Sequence, residues 1–367
     1  MAEIPVRPID TTTRSALLVL AAIAVGWTLY VTRDLVAPFA LAVFFWLAID
    51  ALARWIDGLS PRIPYWFALA IAATITVGLL AGLVFVVADT VGGVVDEAPR
   101  YGERLNELVR EGGALVGQTD MNFALINERF GLSARLEGII GGFAQAISGV
   151  LSDAVLIAIY VVFLFVAQAS FPAKMDNLFP DKTRRDRAAR TGESIRHSIE
   201  QYISVQTIVS LIQTVISYVA MVALGLENAL FWALVIFIMN YIPIVGGIVA
   251  VALPVLFGLV EFDEIWRVFA LGGILFGAQF IVGNTIQPKM MGDSMNMSAL
   301  VVVLSLTVWT ALWGGVGAFL SAPLTVIMMI ILAQFPTSRW IAVLLSADGD
   351  PDMDGDGKPD KAPMPSL

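Results

Sequence analysis

Six side chains in one stretch could do hydrogen-bond chemistry in oily surroundings. Gln206, Thr207, Ser210, Gln213, Thr214 and Ser217 lie in an uncharged run from 201 to 226. Positions 206, 210, 213 and 217 fall on one stripe if that run is a helix. Asn240 sits in a second apolar run, and Gln279, Asn284 and Gln287 lie near the end of a third. All are neutral and offer donors and acceptors. They could hold a small polar solute on its way across a bilayer. They could equally bond helix to helix, a glue worth about 0.6 kcal/mol per contact.

Other chemistry finds no support. The chain has no cysteine and one histidine, His197, which excludes thiol catalysis and a histidine metal cluster. His197 lies in a basic stretch away from any nucleophile motif. No G-x-x-x-x-G-K run is present to cradle a phosphate. Asp350, Asp352, Asp354 and Gly355 resemble the start of a calcium loop. The twelfth position is Lys361, where a bidentate glutamate is needed. A net charge of −9 does not suit a nucleic acid. The reading is no enzyme, no cofactor and no metal.

The elements that must position the polar stripe are membrane helices. The chain is 58% hydrophobic and 14% charged, where a soluble domain is about one-quarter charged. Uncharged runs cover 15–32, 35–49, 63–88, 154–173, 201–226 and 268–288. A span needs about 20 residues, and the second run extends to about Ala53 as helix. None of these runs carries a charge near its centre, which argues against a proton relay through a mid-membrane carboxylate.

Two runs are too long for one span. Residues 228–260 and 294–338 are 33 and 45 residues without charge. As straight helices they would reach about 50 and 67 Å, against a hydrocarbon core of about 30 Å. The first is broken by Pro243, Gly246 and Gly247, and the second by Gly314, Gly315, Gly317 and Pro323. Each is expected to fold back as a helical hairpin, with one broken, tilted span as the competing reading. Backbone groups freed at such a break must be buried in protein or face a water-filled cavity. Paired Gly/Pro interruptions point to a transporter's binding site. Asn240, Pro243, Gly246 and Gly247 therefore join the stripe as a candidate pathway. A purely structural kink is the alternative.

Orientation follows the basic residues. The tail of residues 1–14, the 50–62 loop and the 174–200 loop hold eleven Lys and Arg, against Arg33 in the opposite turn. Both termini are then cytoplasmic, and Trp55, Trp66 and Trp340 fall near the cytoplasmic interface. Residues 89–150 form an extracytoplasmic insert, with nine acids, five arginines and helical apolar spacing. Residues 341–367 read as a disordered acidic tail, and 1–340 as one transmembrane domain.

Three stretches carry a family resemblance. They are "LGLENALFWALVIFIMNYIPIVGGIVAVALP", "NTIQPKMMGDSMNMSALVVVLSL" and "WGGVGAFLSAPL". Their order and spacing resemble the autoinducer-2 exporter family of bacterial permeases over residues 15–340. Ser298–Ala299 stands where that family often has a proline before the leucine. The resemblance implies a multispan inner-membrane permease, a homo-oligomer with a pentamer plausible, and a quorum-sensing sugar derivative or sodium or lithium exchanged for protons as cargo. Asn240, Pro243, Gly246, Pro288, Gly292, Gly314, Gly317 and Pro323 match its pattern, with Pro288 and Gly292 as further helix breaks. The expectation is an all-α polytopic protein of about six spans plus two broken hairpins, or about eight spans. It exports a small polar solute by alternating access across the lipid bilayer. The rivals are a sodium(lithium)/proton antiporter and a non-transporting scaffold.

Overall fold

A computed structural model describes residues 11–59, 62, 64–86, 90, 107, 110, 132–291 and 296–350. Most of the expected insert, Gly292 and the acidic tail lie outside them. The described residues are helical, apart from turns and one isolated β-bridge between Met297 and Ser346. Among the described residues, six helices are long and apolar enough to cross a membrane, in keeping with the composition.

Helices α1 (Thr11–Val31) and α2 (Arg33–Leu59) come first. They are followed by α3 (Tyr65–Val86) and α4 (Leu132–Leu178). Helix α5 (Lys182–Leu224) is the hub and packs on α2 and on most later elements. Both α4 and α5 outrun a bilayer: their 47 and 43 residues span about 70 and 65 Å at 1.5 Å per residue. The 174–200 stretch, expected as a loop, is therefore largely helix. Only the turn before Asp181 interrupts it, where Pro180 cannot continue a helix. The Asp181 side chain restarts the chain by accepting from the Thr183 amide at 2.9 Å.

The first overlong run is a hairpin of α6 (Ala229–Met239) and α7 (Val245–Glu261). Its arms touch through Trp232 and Phe257, with rings 5.2 Å apart. Its base closes where the Glu261 carboxylate accepts from the Glu227 amide. Helix α8 (Ile265–Ile281) runs through a π-turn, Val282–Ile286, into the short α9 (Gln287–Met291). Pro288 explains the widened turn: it has no N–H to return to Asn284, and the Gln287 amide reaches Val282 instead.

The second overlong run is α10 (Ala299–Ala333), folded back at Gly314, where φ is 61° and ψ −135°. The fold-back is visible in Trp309, whose indole N–H donates to Thr325 Oγ1 at 3.1 Å. In a straight helix those residues would stand about 24 Å apart. The Ser298 hydroxyl accepts from the Val301 amide at 3.3 Å and starts α10 without the family's proline. At the base, the Asn296 amide holds Asp348 Oδ1 at 2.8 Å and the Asp350 carbonyl at 2.6 Å, just beyond α11 (Arg339–Leu345).

Two larger apolar cores and two smaller ones result among the described residues. One of the larger pair gathers α2, α5 and α10 around Phe44, Tyr202, Tyr241 and Leu320. The other gathers the end of α5 with α6, α7 and α8 around Met221, Ile236 and Leu275. The polar stripe of α5 runs along both.

Candidate functional site

The site begins at the tip of the α6–α7 hairpin. Gly246 is what lets the chain turn so tightly, because a Cβ there would collide with the carbonyl of Met239. Pro243 and Ile244 complete the turn. Ile244 has φ 62° and ψ −61°, and the Val245 amide closes on the Pro243 carbonyl at 2.6 Å. A β-branched residue at positive φ is a strained outlier, and such strain gathers at clamps and switches.

The tip is tied to α5 by hydrogen bonds. Gln206 Nε2 donates to the Asn240 carbonyl at 2.7 Å, and Gln287 Nε2 donates to Gln206 Oε1 at 3.1 Å. The Tyr202 hydroxyl donates to the Tyr241 carbonyl at 3.3 Å, and the Tyr241 and Thr207 hydroxyls are 2.7 Å apart. This junction satisfies the backbone that the break frees. Gln206, Asn240 and Gln287, expected to share a pathway, do meet here.

Beyond the junction the polar groups change character. Gln213 Oε1, Thr214 Oγ1 and Ser217 Oγ on α5 are buried without a partner. So are Asn240 Nδ2, Trp232 Nε1 and Gln279 Oε1. Gln213 is 1% exposed and Ser217 is fully buried. Gln279 also lines the tip: a Cβ on Gly247 would come within 2.6 Å of its Nε2. Leaving such a group unpaired costs about 1–3 kcal/mol. The six are spread along α5, α8 and the α6–α7 hairpin. The set holds acceptors, donors and hydroxyls and no formal charge.

Asn284 does not join them. It is exposed and donates into its own helix, to the Phe280 carbonyl at 3.0 Å. Pro288 is exposed on α9. Gly314 and Gly315 are exposed at the second tip. Gly317 is buried, and a Cβ there would strike the Trp309 carbonyl. Pro323 is buried in the second arm of α10.

A charged cluster is the feature that sequence reasoning missed. Asp50, 1% exposed, pairs with Arg54 at 3.1 Å and Arg196 at 2.5 Å and accepts from the Tyr65 hydroxyl. Glu200 pairs with Arg196 at 2.7 Å and with Arg54. Two carboxylates and two guanidiniums thus join α2 to α5, with α3 attached through Tyr65. The available signal was a pair of i,i+4 matches, Asp50–Arg54 and Arg196–Glu200, in opposite charge order. No group of acidic or histidine side chains suited to a metal occurs among the described residues.

A polytopic helical bundle with two folded-back hairpins is the architecture of a multi-pass membrane protein. The sequence pattern of the AI-2E family transporter matches residues 17–337, and the chain belongs to that family. It is 25% identical over 340 residues to the Escherichia coli protein named "Putative transport protein YhhT", covering 92% of this chain and 95% of that one. It is 27% identical over 342 residues to a Haemophilus influenzae protein described in the same terms, covering 90% and 96%. It is 27% identical over 321 residues to the Escherichia coli AI-2 transport protein TqsA, covering 85% and 90%. The chain is therefore a multi-pass membrane transporter of a small solute rather than an enzyme.

Proposed function

We propose that this protein exports a small, uncharged, hydrogen-bonding solute across the bacterial inner membrane, along a path between α5, the α6–α7 hairpin and α8. The observation that carries this reading is the set of buried polar atoms without partners: Gln213, Thr214 and Ser217 on α5, Asn240 at the hairpin tip and Gln279 on α8. Pure interhelical glue would pair these atoms, as Gln206 and Gln287 are paired. A lining without charge suits a neutral solute, which an autoinducer-2-like signal would be. The strained tip supports alternating access, with the α6–α7 hairpin as the moving part. The basic residues of 174–200 support a cytoplasmic side for both termini. Exposed apolar side chains on α3 and α4, such as Leu79, Phe85 and Phe163, suit lipid and neighbouring copies in a homo-oligomer.

Cation/proton antiport is the second reading, and the buried Asp50 cluster favours it by supplying ionisable groups. Both carboxylates there already face arginines, which leaves little unbalanced charge for a cation. Uptake of labelled autoinducer-2 into proteoliposomes, with and without a pH gradient, separates the two. Solute uptake that Asn240→Leu and Gln213→Leu sharply reduce supports the neutral-solute path. Sodium-driven proton movement without solute uptake supports antiport, and neither activity supports the scaffold.

A further inference from the structure

We propose that Tyr241 is the gate residue of this pathway, its ring closing the path against Phe319; the inference rests on the pathway reading above. Helix α5 serves as a ruler. Ser217 and Gln206 are about 16 Å apart along it, and Gln206 and Arg196 about 15 Å, at 1.5 Å per residue. On one side of Gln206 lie the unpartnered oxygens of Gln213, Thr214 and Ser217. On the other side lie Arg196 and Glu200 in the charged cluster. Between these polar regions, at the level of Gln206 and Thr207, the path meets aromatic rings.

Tyr241 stacks on Phe319 with centroids 5.0 Å apart. Phe44 meets Phe319 at 5.2 Å and Tyr241 at 6.3 Å, and Phe237 meets Tyr241 at 5.8 Å. The rings come from α2, from the α6–α7 hairpin and from α10, so both broken hairpins contribute. Tyr241 belongs to the tip itself, three residues before the strained Ile244. Movement of the tip would carry the ring with it. What holds the ring is one hydroxyl contact, to Thr207 at 2.7 Å, and ring packing. No ion pair must break for it to swing. An apolar plug between two polar regions, mounted on a strained turn, is suited to opening and closing. A core aromatic of ordinary kind would have no polar compartments to separate.

The chain lacks cysteine, so Ser217→Cys gives a single thiol probe on one side of the plug. A small charged methanethiosulfonate reagent is applied in turn to each membrane face, using vesicles of both orientations. The expected result is reaction from the face at the base of the α6–α7 hairpin, and at least tenfold protection from the face near Arg196. Tyr241→Ala should lift that protection tenfold or more. Tyr241→Phe and Thr207→Val should lift it several-fold. Phe319→Ala asks the same question from the other ring, should Tyr241→Ala assemble poorly. Ser321→Cys, fully buried in α10 where the native hydroxyl bonds the Ala318 carbonyl, is the control and should stay unreactive in each background. Protection that persists in both Tyr241→Ala and Phe319→Ala overturns the gate and leaves the pathway standing. Reactivity of Ser321→Cys rising in step with Ser217→Cys overturns it as general loosening. A Ser217→Cys thiol that is unreactive from both faces in every background overturns the pathway reading as well.

Discussion

The α6–α7 hairpin is wired into its neighbours, whereas the α10 hairpin is wired largely into itself. Both turn where glycine allows backbone to press on backbone, Gly246 against Met239 and Gly317 against Trp309. Their polar groups then diverge. In α10 the Ser321 hydroxyl donates to Ala318, Thr325 donates to Ser321, and Trp309 donates to Thr325. The Trp313 indole at that tip donates to Leu29 of α1 at 3.2 Å. No buried polar side-chain atom lacks a partner in α10 among the described residues. In the first hairpin, Asn240 and Trp232 keep unpartnered donors, and the tip hangs on Gln206 of another helix. The lesson is that a Gly/Pro break marks where a helix turns, and the partners of nearby polar atoms separate a scaffold from a working surface.

The largest effect should come from the two close approaches, and here the hairpins should behave alike. Gly246→Ala and Gly317→Ala each force a Cβ into backbone, an overpacking that costs about 3 kcal/mol or more when the main chain must shift. Both should lose monodisperse, folded protein in size-exclusion chromatography. Survival of either would break the claim that its hairpin is closed by that contact.

Smaller effects should split the pair. Thr325→Val strands the Trp309 indole N–H inside α10, a loss of about 1–3 kcal/mol. It should lower the melting temperature while transport per folded molecule stays at the parent rate. Asn240→Leu should do the reverse, cutting proteoliposome transport about tenfold with the melting temperature nearly unchanged. Should Thr325→Val impair transport as much as Asn240→Leu, the division of labour fails.

The smallest effect concerns the base of α10. The Asp350 amide and the Asn296 side chain hold the exposed Asp348 carboxyl below its usual range. A lowered folded-state pKa gives stabilisation that is present above the ordinary carboxylate range and lost as pH falls through the folded value. Hydrogen exchange at the Ala347 and Asp350 amides should therefore quicken, after correction for intrinsic rates, on acidification below that range. Asn296→Ala should flatten the response. The first hairpin's base, closed by Glu261, should be unaffected by Asn296→Ala.

Much of the fold was legible in the residues. Charge spacing delimited the apolar runs, and length against bilayer thickness marked two of them as hairpins or broken, tilted spans, between which the structure decides for the hairpin. The Gly/Pro interruptions placed those turns at 240–247 and near Gly314. The stripe at 206, 210, 213 and 217 was readable because helical period alone puts those positions on one face. The extent of α4 and α5 beyond the bilayer was not readable: the charges of 174–200 looked like a loop, although the stretch is helical and mostly exposed up to Gly192.

The site was only half legible. Sequence named Gln206, Asn240 and Gln287 as polar residues at depth, but not that Gln206 would be spent on bonding while Gln213 and Gln279 stayed open. Asn284 shows the limit, since it is three residues from Gln287 and yet faces outward. Tyr241, Phe319 and the Asp50–Arg196 cluster were invisible for a common reason. Their partners are far apart in the chain, 146 residues for Asp50 and Arg196, and a single sequence carries no record of distance in space. Hydrophobicity, helical period and charge order act along the chain, so the sequence by itself determined the membrane class, the breaks and the polar stripe. Partner choice acts across it, so only the tertiary structure decided which polar atoms are paired, which are buried without a partner, and which rings pack together.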